Sequence, residues 1–199
     1  MAIKIMPKNF VPQDQYFKKA KELGYRARSV FKLAEIQNKF KILKPGMDIL
    51  DLGAAPGSWL QYASKIVGPK AELVGVDLMP IKKLARNIVT LEADIFADDI
   101  IARTILLHPR KFNLILSDLA PKTSGIKTTD HARSIELNQR AAELSKDLLA
   151  PNGTLVLKIF QGGDFQYFLK KLKTTFESVK TFKPQASRGR SFEIYAICR

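Results

Sequence analysis

Apolar positions fall into short unbroken runs separated by longer stretches in which they recur every three or four residues, a pattern that predicts strands alternating with helices. Ile49, Leu50 and Leu52 form the first run, which leads into a glycine-rich turn and a helix carrying Trp59, Leu60, Ala63, Ile66 and Val67, with Ser58 as its expected cap. Further runs predict strands over Glu72–Asp77, Ile88–Glu92, Phe112–Ser117, Thr154–Phe160, Val179–Lys183 and Phe192–Cys198. Between them, helices are predicted over Asp98–Leu107, from a cap at Asp130 through Leu149, and from a cap at Asp164 through Phe176. Upstream, Ser29 is a candidate cap for a helix bearing Val30, Leu33, Ile36, Gln37 and Phe40. Leu119–Thr129, with Pro121, Ser124 and Gly125, reads as a loop, and Pro151-Asn152-Gly153 as a turn.

This alternation implies an α/β fold, a mostly parallel seven-stranded sheet with helices on both faces. The final connection is too short for a crossover helix, so an antiparallel last strand is expected. In such sheets ligands lie beyond the carboxyl ends of the parallel strands, the edge at which an antiparallel strand begins. Asp118 and Lys158, late in their strands, and Glu193, early in the last one, can therefore meet there.

The stretch DILDLGAAPGSW, residues 48–59, is the strongest ligand signal. Gly53, Ala54 and Gly57 have side chains small enough for a ligand to lie against the backbone, and a helix start offers free N–H groups to an anionic moiety. Asp77 follows Asp51 by 26 residues, close to the spacing at which nucleotide-binding units place an acid on a ribose diol. Asp94, after the third strand, is a candidate for an adenine amino group or a helix cap. A dinucleotide site needs Gly-x-Gly-x-x-Gly; here those positions are Gly53, Ala55 and Ser58. The Asp51, Gly53, Gly57 pattern is instead similar to the first motif of S-adenosylmethionine-dependent methyltransferases, and so to a Rossmann-like methyltransferase fold.

Composition narrows the setting. The chain has 199 residues and a formal net charge of +14, which suits one domain and a polyanionic partner. Residues 1–28 read as a basic arm that contacts RNA, in which Lys18, Lys19, Lys21, Arg26 and Arg28 are interleaved with aromatic residues. No uninterrupted apolar run approaches about 18 residues, so no membrane partner is expected. One cysteine, Cys198, and no hydrophobic leader are expected of a cytoplasmic protein. His108 and His131 have no metal-ligand spacing, and no metal is expected.

An ammonium group is costly to keep in an apolar strand, and a second one nearby adds to the cost, so an amine such as that of Lys158 can serve as a base. Lys32 is the candidate second amine, with Asp118 and Glu193 placed to hold or align the pair. From Tyr25 onward the chain resembles the FtsJ/RrmJ-type ribosomal RNA large-subunit 2′-O-methyltransferase family, through RARSVFKLAEIQ, DLGAAPGSW, VGVDLMP, SDLAPKTSG, DHARSIELNQRA, LAPNGTLVLKIFQGGDF and SRGRSFEIYAICR. The resemblance implies a catalytic Lys-Asp-Lys-Glu set at Lys32, Asp118, Lys158 and Glu193, with Lys158 as proton acceptor. It implies S-adenosylmethionine as cofactor, held at Gly57, Trp59, Asp77, Asp94 and Asp118, next to Gly53 and Ala54 of the turn. The implied substrate is a uridine ribose in large-subunit ribosomal RNA, on the assembled or nearly assembled subunit, with the protein acting as a monomer. Arg188 and Arg190, with Lys32, join the basic arm as expected RNA contacts. Ser58 stands where relatives often have a second glycine, and the first 24 residues match only in being basic. A non-catalytic RNA-binding assembly factor, a methyltransferase for another RNA such as transfer RNA, and a nicotinamide dehydrogenase remain as alternatives.

Overall fold

A computed structural model describes residues 15–187 and 191–199. The elements in chain order are α1 (Gln15–Glu22), α2 (Val30–Phe40), β1 (Ile49–Leu52), α3 (Ser58–Val67), β2 (Leu73–Asp77), β3 (Ile88–Glu92) and α4 (Ile100–Leu107). They continue with β4 (Phe112–Ser117), α5 (Lys127–Leu148), β5 (Leu149–Phe160), α6 (Phe165–Leu172), β6 (Val179–Phe182) and β7 (Glu193–Cys198). The strands form one sheet in the order β3-β2-β1-β4-β5-β7-β6. The pairs β1–β2, β1–β4, β2–β3 and β4–β5 are parallel, while β7 is antiparallel to both β5 and β6. The chain reverses its march across the sheet at β1, which is where ligands of doubly wound folds bind.

Strands buried on both faces read as continuous apolar runs, and β1 is buried throughout. Leu50, Leu52, Ile115, Leu155 and Leu157 pack against α4, α5 and α6 on one face. Ile49, Leu114, Leu116, Val156, Tyr195 and Ile197 pack against α2 and α3 on the other. On the outside of α2, α1 brings Tyr16 to a ring-centre distance of 5.4 Å from Phe31. Burial pushes the Cys198 thiol up to about 12, which leaves it an unreactive core side chain. No described helix is long and apolar enough to cross a membrane.

Several helix starts differ from expectation. Gly57, with φ of 101°, stands at the cap of α3, and the Ser58 hydroxyl lies 3.0 Å from that of Ser29 instead of on its own backbone. Ser29 likewise makes no capping bond to α2. Helix α5 begins at Lys127, ahead of Asp130, whose carboxylate accepts the Ser124 and Gly125 N–H groups and the Ser124 hydroxyl. Those bonds hold the acid below the usual carboxylate range. Helix α6 stops at Leu172, because Thr174, Thr175 and Phe176 close turns on Lys171 and Leu172. Strand β5 starts earlier than expected, at Leu149, where it reaches Phe112 across an irregularity in the ladder.

At the amino-terminal edge of the sheet, β1, β2 and the start of β4 are tied by a charged cluster. Asp48 Oδ1 accepts the Glu72 N–H at 2.8 Å, and Arg110 donates to Asp48 Oδ2 and Glu72 Oε2 at 3.0 and 3.1 Å. The His108 ring, stacked on Phe112 with centres 4.5 Å apart, lies 2.9 Å from Glu72 Oε2.

Candidate active site

At the opposite edge two cavities open. The smaller, about 170 Å³, is lined by Gly53, Asp77, Asp94, Ile95, Asp118 and Leu119 among others. Gly53 has φ of 76°, and a Cβ there would come within 3.1 Å of the Leu119 backbone, so β1 can turn beside the pocket only with glycine. At Gly57 a Cβ would meet Leu84 at 2.8 Å. Asp77 Oδ2 accepts the Ala55 N–H at 2.8 Å and Oδ1 the Met79 N–H at 2.9 Å. These bonds fix the carboxylate while lone pairs remain for a diol. Asp94 Oδ1 accepts the Phe96 N–H at 3.0 Å, an Asx turn that aims the acid. A pocket rimmed by three acids and backbone suits a nucleoside bearing a cationic tail.

Not every expected cofactor residue lines this pocket. The Ala54 side chain is buried against α3. Trp59 is 3 % exposed, donates its indole N–H to Ser29 O at 2.8 Å and lies 5.9 Å from the Tyr195 ring. Its side chain belongs to the core, so only its backbone is left for a ligand. Gly57 contributes the shape of the turn.

The larger cavity, about 560 Å³, is lined by Arg28, Lys32, Lys127, Phe160, Phe192 and Glu193 among others. Asp118 leaves the end of β4, where its N–H donates to Leu52 O at 3.1 Å. Lys158, 5 % exposed, reaches it from β5, with Nζ 2.5 Å from Asp118 O and 3.1 Å from Asp118 Oδ1. Glu193 opens β7 opposite Phe160, and Lys32 Nζ from α2 lies 2.5 Å from Glu193 Oε1. Four residues far apart in the chain thus form two ion pairs at one rim of the sheet. Tyr195, two residues after Glu193 on the same face, donates its hydroxyl to Asp118 Oδ1 at 2.7 Å. Burial, then the nearby Asp118 and Glu193, raise the phenol well above its ordinary value, so it stays a donor. Asp51 lies behind the pair, 1 % exposed with neither carboxyl oxygen hydrogen-bonded. Desolvation, then Asp118 and Asp77, push its pKa well above the usual carboxylate range.

The family description "FtsJ-like methyltransferase" matches residues 25–199. The chain belongs to the FtsJ-like methyltransferase family. It is 47 % identical over 190 residues to a ribosomal RNA large subunit methyltransferase E from Syntrophobacter fumaroxidans, covering 95 % of this chain and 96 % of that one. A protein of the same name from Myxococcus xanthus is 45 % identical, with 96 % and 91 % covered. Among solved structures, a ribosomal RNA methyltransferase from Plasmodium falciparum superposes with a TM-score of 0.80 at 29 % identity, over 88 % of this chain and 97 % of that one. A fibrillarin from Aeropyrum pernix, solved with S-adenosyl-L-methionine, shares the fold with a TM-score of 0.61 at 15 % identity, over 86 % and 76 %.

As an FtsJ-like methyltransferase, the protein takes S-adenosylmethionine. The basic residues divide. Lys18, Lys19 and Lys21 are exposed on α1. Arg28 lines the larger cavity and also donates to Ala186 O at 2.6 Å. The Arg26 guanidinium donates to Pro56 O, Lys82 O and Lys83 O at 3.0, 2.8 and 2.8 Å. It therefore braces the glycine turn against the segment after β2. Arg188 and Arg190 lie outside the described residues. Reading the sequence missed Tyr195 and the electrostatic isolation of Asp51. The two-residue step from Glu193 to Tyr195 was an available signal for the first; the glycine motif marked Asp51 itself, but not that both its oxygens are buried without a hydrogen-bond partner.

Proposed function

We propose that this protein methylates the ribose 2′-hydroxyl of a uridine in large-subunit ribosomal RNA, on the assembled or nearly assembled subunit. What supports the reading is the meeting of Lys158 and Asp118 at the border between an acid-lined pocket and a cation-lined cleft. Bound S-adenosylmethionine supplies a methyl group already activated on a sulfonium. A hydroxyl is a poor nucleophile until it loses its proton, and Lys158, in its neutral amine form, is the base that accepts it and becomes the ammonium paired with Asp118. Asp118 holds Lys158 through its carbonyl and carboxylate and is itself held by the Tyr195 hydroxyl. Glu193 holds Lys32, whose charge faces the cleft that receives the phosphate chain. We read the chain as one domain acting as a monomer in the cytoplasm, with residues 1–28 an arm that docks RNA through Lys18, Lys19, Lys21, Arg26 and Arg28, joined by Lys32, Arg188 and Arg190.

The test is to incubate purified protein with radiolabelled S-adenosylmethionine and large subunits from cells lacking it, then map 2′-O-methyl positions. Label at one uridine ribose is expected. Label on a base, label on transfer RNA alone, or none on any RNA overturns the reading.

A further inference from the structure

Strand β5 overhangs its parallel neighbour. The β4–β5 ladder ends at Ser117 opposite Leu157, while the β5–β7 ladder continues to Phe160 opposite Glu193. Lys158 and Phe160 thus point backbone groups toward a side where no strand pairs with them, and buried groups of this kind need partners.

Helix α5 supplies those partners. Asn138 Nδ2 donates to Lys158 O at 2.7 Å, and the Phe160 N–H donates to Ser134 Oγ at 3.1 Å. His131 Nδ1 donates to Phe160 O at 2.8 Å, while its Nε2 accepts the Asp164 N–H at 3.0 Å. The two partners fix that neutral tautomer. Residues 131, 134 and 138 share one helix face, and all three are buried, at 5, 1 and 1 % exposure. Three polar side chains in a row on the core side of a helix are unusual. Gly162 completes the fit, because a Cβ there would fall 2.2 Å from the His131 ring.

We infer that Asn138, Ser134 and His131 are positioning residues for Lys158: α5 stands in for the missing strand and fixes where the end of β5 presents its amine. This rests on the role of Lys158 proposed above. A frame anchored at the Lys158 carbonyl sets the Nζ–Asp118 geometry without touching RNA or cofactor, so its loss should appear in turnover and not in binding.

The experiment compares Asn138→Leu, which keeps the bulk and removes the donor, with Ser134→Ala and Ser134→Thr, using the full-length protein. Each is assayed for single-turnover methyl transfer, for RNA and cofactor affinity, and for amide exchange at Phe160. Asn138→Leu should lower turnover about 10- to 100-fold, as small misplacements of reacting groups do, with both affinities unchanged. Ser134→Ala should lower turnover less and speed exchange at Phe160, and Ser134→Thr, which retains the hydroxyl, should restore both. Wild-type turnover in Asn138→Leu, or a loss confined to RNA or cofactor affinity, overturns the inference. If Asn138→Leu does not fold, the Ser134 pair decides: equal turnover in Ala and Thr overturns it. If the wild type transfers no methyl group to any RNA, the proposed function has failed, whereas faster Phe160 exchange in Ser134→Ala would still show that α5 holds this strand end.

Discussion

The two edges of the sheet each carry a cluster of charged side chains, yet only the one at the carboxyl edge lines the two cavities described above. At the amino-terminal edge Asp48, Glu72, His108 and Arg110 close on one another, and both Asp48 oxygens are engaged. At the carboxyl edge Lys32, Asp118, Lys158 and Glu193 also pair, but between two cavities. The Lys158 ammonium donates one hydrogen bond to the Asp118 carbonyl and lies 3.1 Å from its carboxylate, so donor capacity is left over. The lesson is that ion pairs alone do not mark a site; unfilled hydrogen-bonding capacity beside a cavity does. Among the described residues, no group of His, Cys, Asp and Glu at either edge could hold a metal ion.

The contrast is broken most sharply by Lys158→Met. Methyl transfer should fall by at least about 10²- to 10⁴-fold, the range of a lost acid–base group, while calorimetry still finds cofactor binding. Near-normal transfer would remove Lys158 as the base. Asp48→Ala should do the reverse. It leaves the Glu72 N–H without its acceptor and should lower stability by about 1–3 kcal/mol in urea, with turnover per folded molecule unchanged. A turnover loss in that variant would mean that the two edges communicate.

The smallest effect concerns Asp51. Its pKa is raised in the folded protein, so its neutral form is favoured there, and the cost of charging it grows as pH rises from the ordinary 3.8 through the raised value. Asp51→Asn removes that cost. The melting temperature of the variant should therefore match the wild type near the ordinary value and exceed it increasingly as pH rises. A constant difference across pH would place the titration elsewhere.

The sheet was legible because its central strands are buried on both faces, and an unbroken run such as Leu155–Leu157 has few other readings. The convergence of Asp118, Lys158 and Glu193 followed from strand direction alone. Polar residues were read less well, since which backbone group a side chain serves depends on what packs beside it. Ser58 and Asp130 both looked like caps, yet one meets Ser29 and the other gathers Ser124 and Gly125. Arg26 reads as part of a basic stripe, and nothing in the sequence shows that its guanidinium also bonds three carbonyls from two segments. The glycine motif contains Asp51 but carries no signal of its isolation, which is a property of its neighbours.

The reversed direction of β7 has a practical outcome. Its first residue, Glu193, stands beside the cleft, and its last, Cys198, lies opposite Leu155 at the other end of the ladder. A fluorescent reporter or affinity handle joined after Arg199 would therefore emerge at the edge of the sheet opposite the cleft proposed to receive RNA.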